Sequence, residues 1–264
     1  MTRIAMFTCA IALCCSSGVA HAVEPTPERT PLRLGVSVNG GVGFFYPSAA
    51  NDFVQYALDS EVDTLRTLLS SVPELNPVPL LVNVPVQVLA FARVTDSFQA
   101  EAWWEAGTAN GSGWTLDESI HYGFEMAAFH EKVTFTPSWR ALGANAVYLA
   151  GGPNGRMHPM FGAGLGYYTG TFLMEYSGYN SAGAAWNDKY RYVGKGFGAN
   201  LIAGLSFALV RNLELGLRVT GRYANIPELK RDGVVLRNPD RENEKVSLNL
   251  SGIDFRLGAS VVMP

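Results

Sequence analysis

Residues 159–176, PMFGAGLGYYTGTFLMEY, repeat with a period of two: Phe161, Ala163, Leu165 and Tyr167 share one parity, and Gly162, Gly164, Gly166, Tyr168 and Gly170 share the other. Successive side chains of a strand point to opposite faces, so this stretch reads as a strand with an oily face and a face stripped largely to glycine. A helix is disfavoured, because each internal glycine costs about 1 kcal/mol there. Glycine also weakens a strand unless something crowds against it. A soluble sandwich would fill its polar face with Thr, Lys and Glu. A small closed barrel instead presses its inward residues together. The stretch therefore calls for lipid on one side and a narrow polar interior on the other.

The pattern recurs after residue 31, cut by Gly, Pro, Asn and Asp clusters. Residues 32–45 set Leu34, Val36, Val38, Val42 and Phe44 against Arg33, Gly35, Ser37, Asn39, Gly41 and Gly43. Residues 82–94 set a run of Val and Ala against Asn83, Gln87 and Arg93, and 98–106 set Phe98, Ala100, Ala102 and Trp104 against Gln99, Glu101, Trp103 and Glu105. A fourth segment falls within 129–150, interrupted or bent at Pro137, which cannot donate to a ladder. After the opening stretch, 190–209 sets Phe197, Leu201 and Phe207 against Gly194, Asn200 and Ser206. The next segment sets Leu213, Leu215, Leu217 and Val219 against Glu214, Arg218, Thr220 and Arg222. The last, 246–262, sets Ile253, Phe255 and Leu257 against Asp254, Arg256 and Ser260, with a bulge expected near Ser251 because Val246, Leu248 and Leu250 break the parity.

Eight segments joined alternately by short turns (95–97, 151–156, 210–212) and long loops (46–80, 107–128, 176–189, 224–245) predict an all-β fold. The expected architecture is an eight-stranded antiparallel up-and-down transmembrane β-barrel over residues 31–264, with both termini on the short-turn, periplasmic side. Within the first long loop, residues 51–72 change period: Val54, Leu58, Val62, Leu65, Leu69 and Val72 recur at three- and four-residue spacing, predicting an amphipathic helix. Its polar face carries Asp52, Asp59, Glu61 and Asp63 against Arg66, the wrong sign for an anionic membrane surface, so it is expected to cover or enter the barrel mouth.

Beyond the first twenty-odd residues no apolar run reaches the length of a membrane helix. The net charge of −3 and the lack of a basic stripe exclude nucleic acid as a partner. Residues 1–22 have the three parts of a cleaved secretory signal peptide: Arg3, an apolar core from Ile4 to Cys15, and Ala20-His21-Ala22. Residues 23–30 then form a short periplasmic segment. Cys9, Cys14 and Cys15 all fall in the leader, so the mature chain has no disulfide, thiol nucleophile or Cys-ligated metal.

With its GAGLGYYTG and closing LSGIDFRLGASVVMP, the chain resembles the eight-stranded bacterial outer-membrane barrels of the OmpA, OmpX and OmpW type across residues 31–264. That resemblance implies outer-membrane lipid, lipopolysaccharide and the barrel assembly machinery as partners. Such proteins typically end in an aromatic residue read by that machinery, where this chain has Met263-Pro264. Family members include membrane anchors, adhesion proteins, small-solute conduits and a few lipid-modifying enzymes, so the fold leaves function open.

Four groups of residues are candidates for it. The lumen parity carries Arg33, Arg93, Arg218, Arg222 and Arg256 with Glu101, Glu105, Glu214 and Asp254. In a narrow lumen these must pair, as a polar plug or along a conduit for small or hydrophobic solutes. The loop NIPELKRDGVVLRNPDRENEKV is rich in both signs and is expected to be solvated, with contact to lipopolysaccharide phosphates as the alternative. Trp103, Trp104, Tyr167, Tyr168, Phe172, Tyr176, Tyr190 and Tyr192 suit an interfacial girdle. The mature histidines, His121, His130 and His158, form no known lipid-deacylase or palmitoyltransferase motif, although Ser119 stands two residues from His121. No metal-ligand spacing or cofactor motif is present. The reading is a non-catalytic outer-membrane barrel with a structural or surface-interaction role; the alternatives are a narrow conduit for small or hydrophobic solutes and, second, a lipid A-modifying outer-membrane enzyme.

Overall fold

The computed structural model describes residues 32–68, 79–122, 125–151, 156–180, 183–210 and 212–263. The leader at 1–22, the segment 23–30 and the last residues of the expected helix lie outside them. The elements are β1 (Arg33–Phe45), α1 (Ser48–Leu68), β2 (Val82–Thr95), β3 (Phe98–Ala109), β4 (Ser112–Tyr122), β5 (Glu125–Leu149), β6 (Met157–Asn180), β7 (Ala185–Val210) and β8 (Leu213–Ile226). Five two-residue strands follow, β9 (Lys230–Arg231), β10 (Val234–Val235), β11 (Arg237–Asn238), β12 (Glu244–Lys245) and β13 (Leu248–Asn249), before β14 (Gly252–Val262).

Antiparallel pairing runs β8-β7-β6-β5-β3-β2-β1-β14 and back to β8, which closes a ring of eight strands. No described helix is long and apolar enough to cross a membrane. Both described chain ends lie at the short-turn end, where Gly35 faces Val262 and the Met263 amide donates to the Leu34 carbonyl. The two faces fall as the alternation requires. Val36, Val38, Val86, Phe161, Leu165, Leu201, Leu217, Phe255 and Leu257 are exposed around the outside, while Ser37, Asn39, Gln87, Asn145, Asn200 and the charged lumen residues are buried inside. An apolar outer belt over a polar core is stable only where the surrounding solvent is lipid.

Three expectations need correction. The segments 107–128 and 176–189 are not simply loops: β4 pairs β5 from Ser112–Phe135 to Tyr122–Glu125, and β6 pairs β7 as far as Tyr179–Ala185. Their outward positions turn polar, with Thr134, Glu175, Lys189 and Arg191, because these ribbons stand above the lipid, so the hydrophobic stripe stops while the ladder continues. Pro137 does not interrupt its strand. It stands opposite the break between β3 and β4, and its carbonyl points that way, accepting from Thr108 Oγ1 at 3.3 Å, so no ladder bond misses its N–H. Nor is there a bulge near Ser251. Leu248 faces Ile226 and Gly252 faces Arg222, four residues on along both strands, so one register holds throughout. Val246, Leu248 and Leu250 keep the lumen parity and are apolar because the top of the interior is apolar.

Candidate functional site

The interior is built in tiers from the turn end upward. In the lowest, Arg93 holds Glu214 with two bonds of 2.8 and 2.6 Å, Ser206 donates to the same carboxylate at 2.8 Å, and Arg93 Nε donates to Gln99 at 3.0 Å. Gln99 in turn donates to Glu101 at 2.8 Å. In the middle tier Glu101 takes two bonds from Arg218, at 3.0 and 2.6 Å, and one from Asn145 at 2.8 Å, whose oxygen accepts from the Trp103 indole. Above it, Arg222 bridges Glu105 and Asp254 at 2.7 and 2.6 Å, and Arg256 bridges the same two carboxylates at 2.8 and 2.6 Å. The Trp139 indole donates to Glu105 at 3.1 Å while its ring lies under the Arg222 guanidinium.

Four arginines thus meet four carboxylates, and every one of the eight has an opposite charge in contact. Arg33, grouped with them by parity, lies exposed at the turn end and joins none of the described ion pairs. The bridging groups Gln99, Asn145, Ser206 and Trp139 had no signal in the sequence beyond their parity. A space of about 10 Å³ remains beside Arg93, Glu214 and Arg218, room for about a single water.

Four of the inward glycines serve as sockets for aromatic rings. Trp103 faces Gly143 across β3 and β5, Trp139 faces Gly107 across the same pair, Phe91 faces Gly35 across β2 and β1, and Trp186 faces Gly178 across β7 and β6. In each pair a Cβ on the glycine would collide with the ring, so the aromatic lies flat across the neighbouring strand. Trp103 reaches one strand further, over Gly166.

Above the charged tiers the interior turns apolar. Phe45, Phe135, Phe172, Ile226, Leu248 and Leu250 form a buried cluster, and α1 closes it from the loop end with Ala50, Phe53, Val54 and Leu58. Phe53 stands edge-on to Phe135 and Phe172 at 6.4 Å. The helix is tied down by Asn51 Oδ1, which accepts from the Leu80 amide at 2.9 Å, and by Asp52, paired with Arg241 of the last loop at 3.2 Å. α1 therefore sits in the mouth. It begins at Ser48, ahead of the expected residue 51.

The aromatic girdle needs sorting. Trp104 and Tyr167 point outward, whereas Trp103, Tyr168 and Phe172 are buried inside. Tyr176, Tyr190 and Tyr192 pack on the inner side of the β6–β7 ribbon, where with Glu131, Met174, Trp186, Asp188 and Arg231 they line an open cleft of about 440 Å³. Burial there and the nearby Glu61 carboxylate push Glu131 up to about 7, and burial followed by the Glu131 carboxylate pushes the Tyr176 phenol up to about 12. Of the histidines, His130 stacks on Tyr179 near the far end of β6, and His158 stands opposite Ser206 at its start. In the last loop, Glu228 lies between Lys230 and Lys245, whose hydrogen bonds hold its carboxyl down at about 2.

The chain resembles eight-stranded outer-membrane barrels. No family model and no curated protein matches it. Similar solved structures include a major outer membrane protein from Thermus thermophilus, at 13% identity over 89% of this chain and 100% of that one, with a TM-score of 0.44. Neisserial surface protein A is 13% identical over 88% and 99% of the two chains, with a TM-score of 0.40. Ail, the attachment invasion locus protein of Yersinia pestis, solved with a heparin analogue, is 9% identical over 89% and 100%, with a TM-score of 0.38.

Proposed function

We propose that this is an outer-membrane barrel with a closed lumen and periplasmic termini, non-catalytic, whose role is structural or lies in contacts made at its loop end. The observation that carries this is the interior: three tiers of paired charge, then an apolar plug sealed by α1. A conduit needs mobile water or an open apolar path, and both are displaced here by side chains that hold one another. The cleft lined by Tyr176, Trp186, Tyr190 and Tyr192 offers the contact surface, with flat aromatic faces beside Glu131, Asp188 and Arg231.

Single-channel recording tests the reading. Folded protein in a planar bilayer is expected to pass no discrete current, and removal of residues 48–68 alone should leave it silent, because the charged tiers remain. Removing them together with Arg218→Ala and Glu101→Ala should open the lumen. Discrete currents through the unaltered protein would sink the closed-lumen proposal.

A further inference from the structure

We infer that the outer wall of β3, β5, β6 and β7 holds the headgroup of a lipid bearing a phosphate monoester, in the leaflet at the loop end. The inference rests on the transmembrane reading and adds a ligand site to it. Cross-strand register places Trp104, Leu142, Tyr167 and Phe197 side by side on the outside, a mostly aromatic row at the upper edge of the apolar belt. Aromatic rows of this kind sit at headgroup level. The row directly above reads Ala106, Arg140, Thr169, Lys195, and the next reads Thr108, Ser138, Thr171, Val193. Apolar surface thus gives way within one step to cations and hydroxyls.

A groove of about 460 Å³ opens there, with Arg140, Arg191, Ser138, Thr169 and Thr171 supplying donors and Val84, Val86 and Val193 supplying an oily wall. Lys195 adjoins it through Thr169. Among the described residues, Arg140, Arg191 and Lys195 have no carboxylate partner, in contrast to Lys189 further up β7, which is paired with Glu175 at 2.5 Å. Two guanidiniums and an ammonium without a carboxylate partner among the described residues, Arg140 and Lys195 level with the headgroups and Arg191 just above them, suit an anion that arrives with acyl chains attached. Arginine recognises phosphate through two parallel bonds, and the doubly charged monoester matches three cations better than a singly charged diester does. The acyl chains would run down from the cations over the row of Trp104, Leu142, Tyr167 and Phe197.

The test uses the full-length protein, folded in a neutral detergent, with bound lipid counted by native mass spectrometry. Phosphatidic acid is the probe, with phosphatidylglycerol, phosphatidylcholine and inorganic phosphate as the comparisons. Retention of phosphatidic acid is expected to exceed that of phosphatidylcholine, and the Arg140→Gln, Arg191→Gln pair should lower it at least about tenfold, the worth of a lost charge-assisted bond. Lys189→Gln, outside the groove, should change nothing. Equal retention of the charged and zwitterionic lipids, or a double variant that binds like the parent, overturns the proposal. Displacement by inorganic phosphate at the same concentration overturns the lipid as occupant, as does equal retention of phosphatidylglycerol for the monoester. Insertion into phosphatidylcholine vesicles, read separately by a heat-dependent gel shift, keeps a failure of the transmembrane reading distinct from a failure of this site.

Discussion

Trp103 is buried on glycine at Gly143 and Gly166, so glycine here is the socket for an indole rather than a point of bending. Gly143→Val should therefore displace Trp103 and break its bond to Asn145, at a cost of about 1 to 3 kcal/mol from overpacking, read as a lower urea midpoint for the folded barrel. Gly216→Ala, with open space at its Cβ, should leave that midpoint unchanged. Alternation placed Gly166 and Gly216 on the lumen face, while Gly143 fell in the fourth segment, whose faces the sequence left unassigned. Their partners were not legible, because Trp103 lies forty residues before Gly143 and only the register brings them together. The charged residues behave likewise: their parity told of pairing, and only closure of the ring decided which arginine met which carboxylate. Arg222→Met should cost about 3 to 5 kcal/mol by leaving Asp254 and Glu105 short of a cation, and adding Asp254→Asn should recover part of that loss in the same unfolding assay.

Among the elements, α1 was readable from its change of period, and its place in the mouth from an apolar stripe that needed burial beside acids that repel anionic lipid. Its contact with the ribbon was hidden, since nothing in the chain sets Glu61 beside Glu131. Glu131 is raised to about 7 in the folded protein, so the folded state binds its proton more tightly than the unfolded chain does. That contribution is present in full below the ordinary carboxylate range, declines as pH rises, and is lost above about 7. Amide exchange in α1, corrected for intrinsic rate, should accordingly be slower at low pH than at high, and Glu131→Gln should remove the difference. Along β8, Leu217 lies outward between Leu205 and Leu257. Leu217→Arg should reduce insertion into vesicles by about 2 to 4 kcal/mol, the cost of a cation near the midplane. An unaffected insertion free energy would place that face away from lipid. The ribbons escaped the sequence reading because a ladder carries no hydrophobic signature once lipid is no longer beside it.

The whole molecule is longer than its membrane. From Thr169, level with the cationic row, β6 runs ten more residues to Tyr179, still paired with β7. At about 3.3 Å per residue and a barrel tilt near 40°, that is a rise of about 25 Å. The tip of the β6–β7 ribbon is thus carried well clear of the bilayer on a stalk braced by its own hydrogen bonds. With the termini end in the periplasm, as proposed above, this tip is what an antibody or a phage would meet first. Antigenic drift would then be cheapest there, where a changed side chain alters recognition and leaves the buried charge tiers untouched.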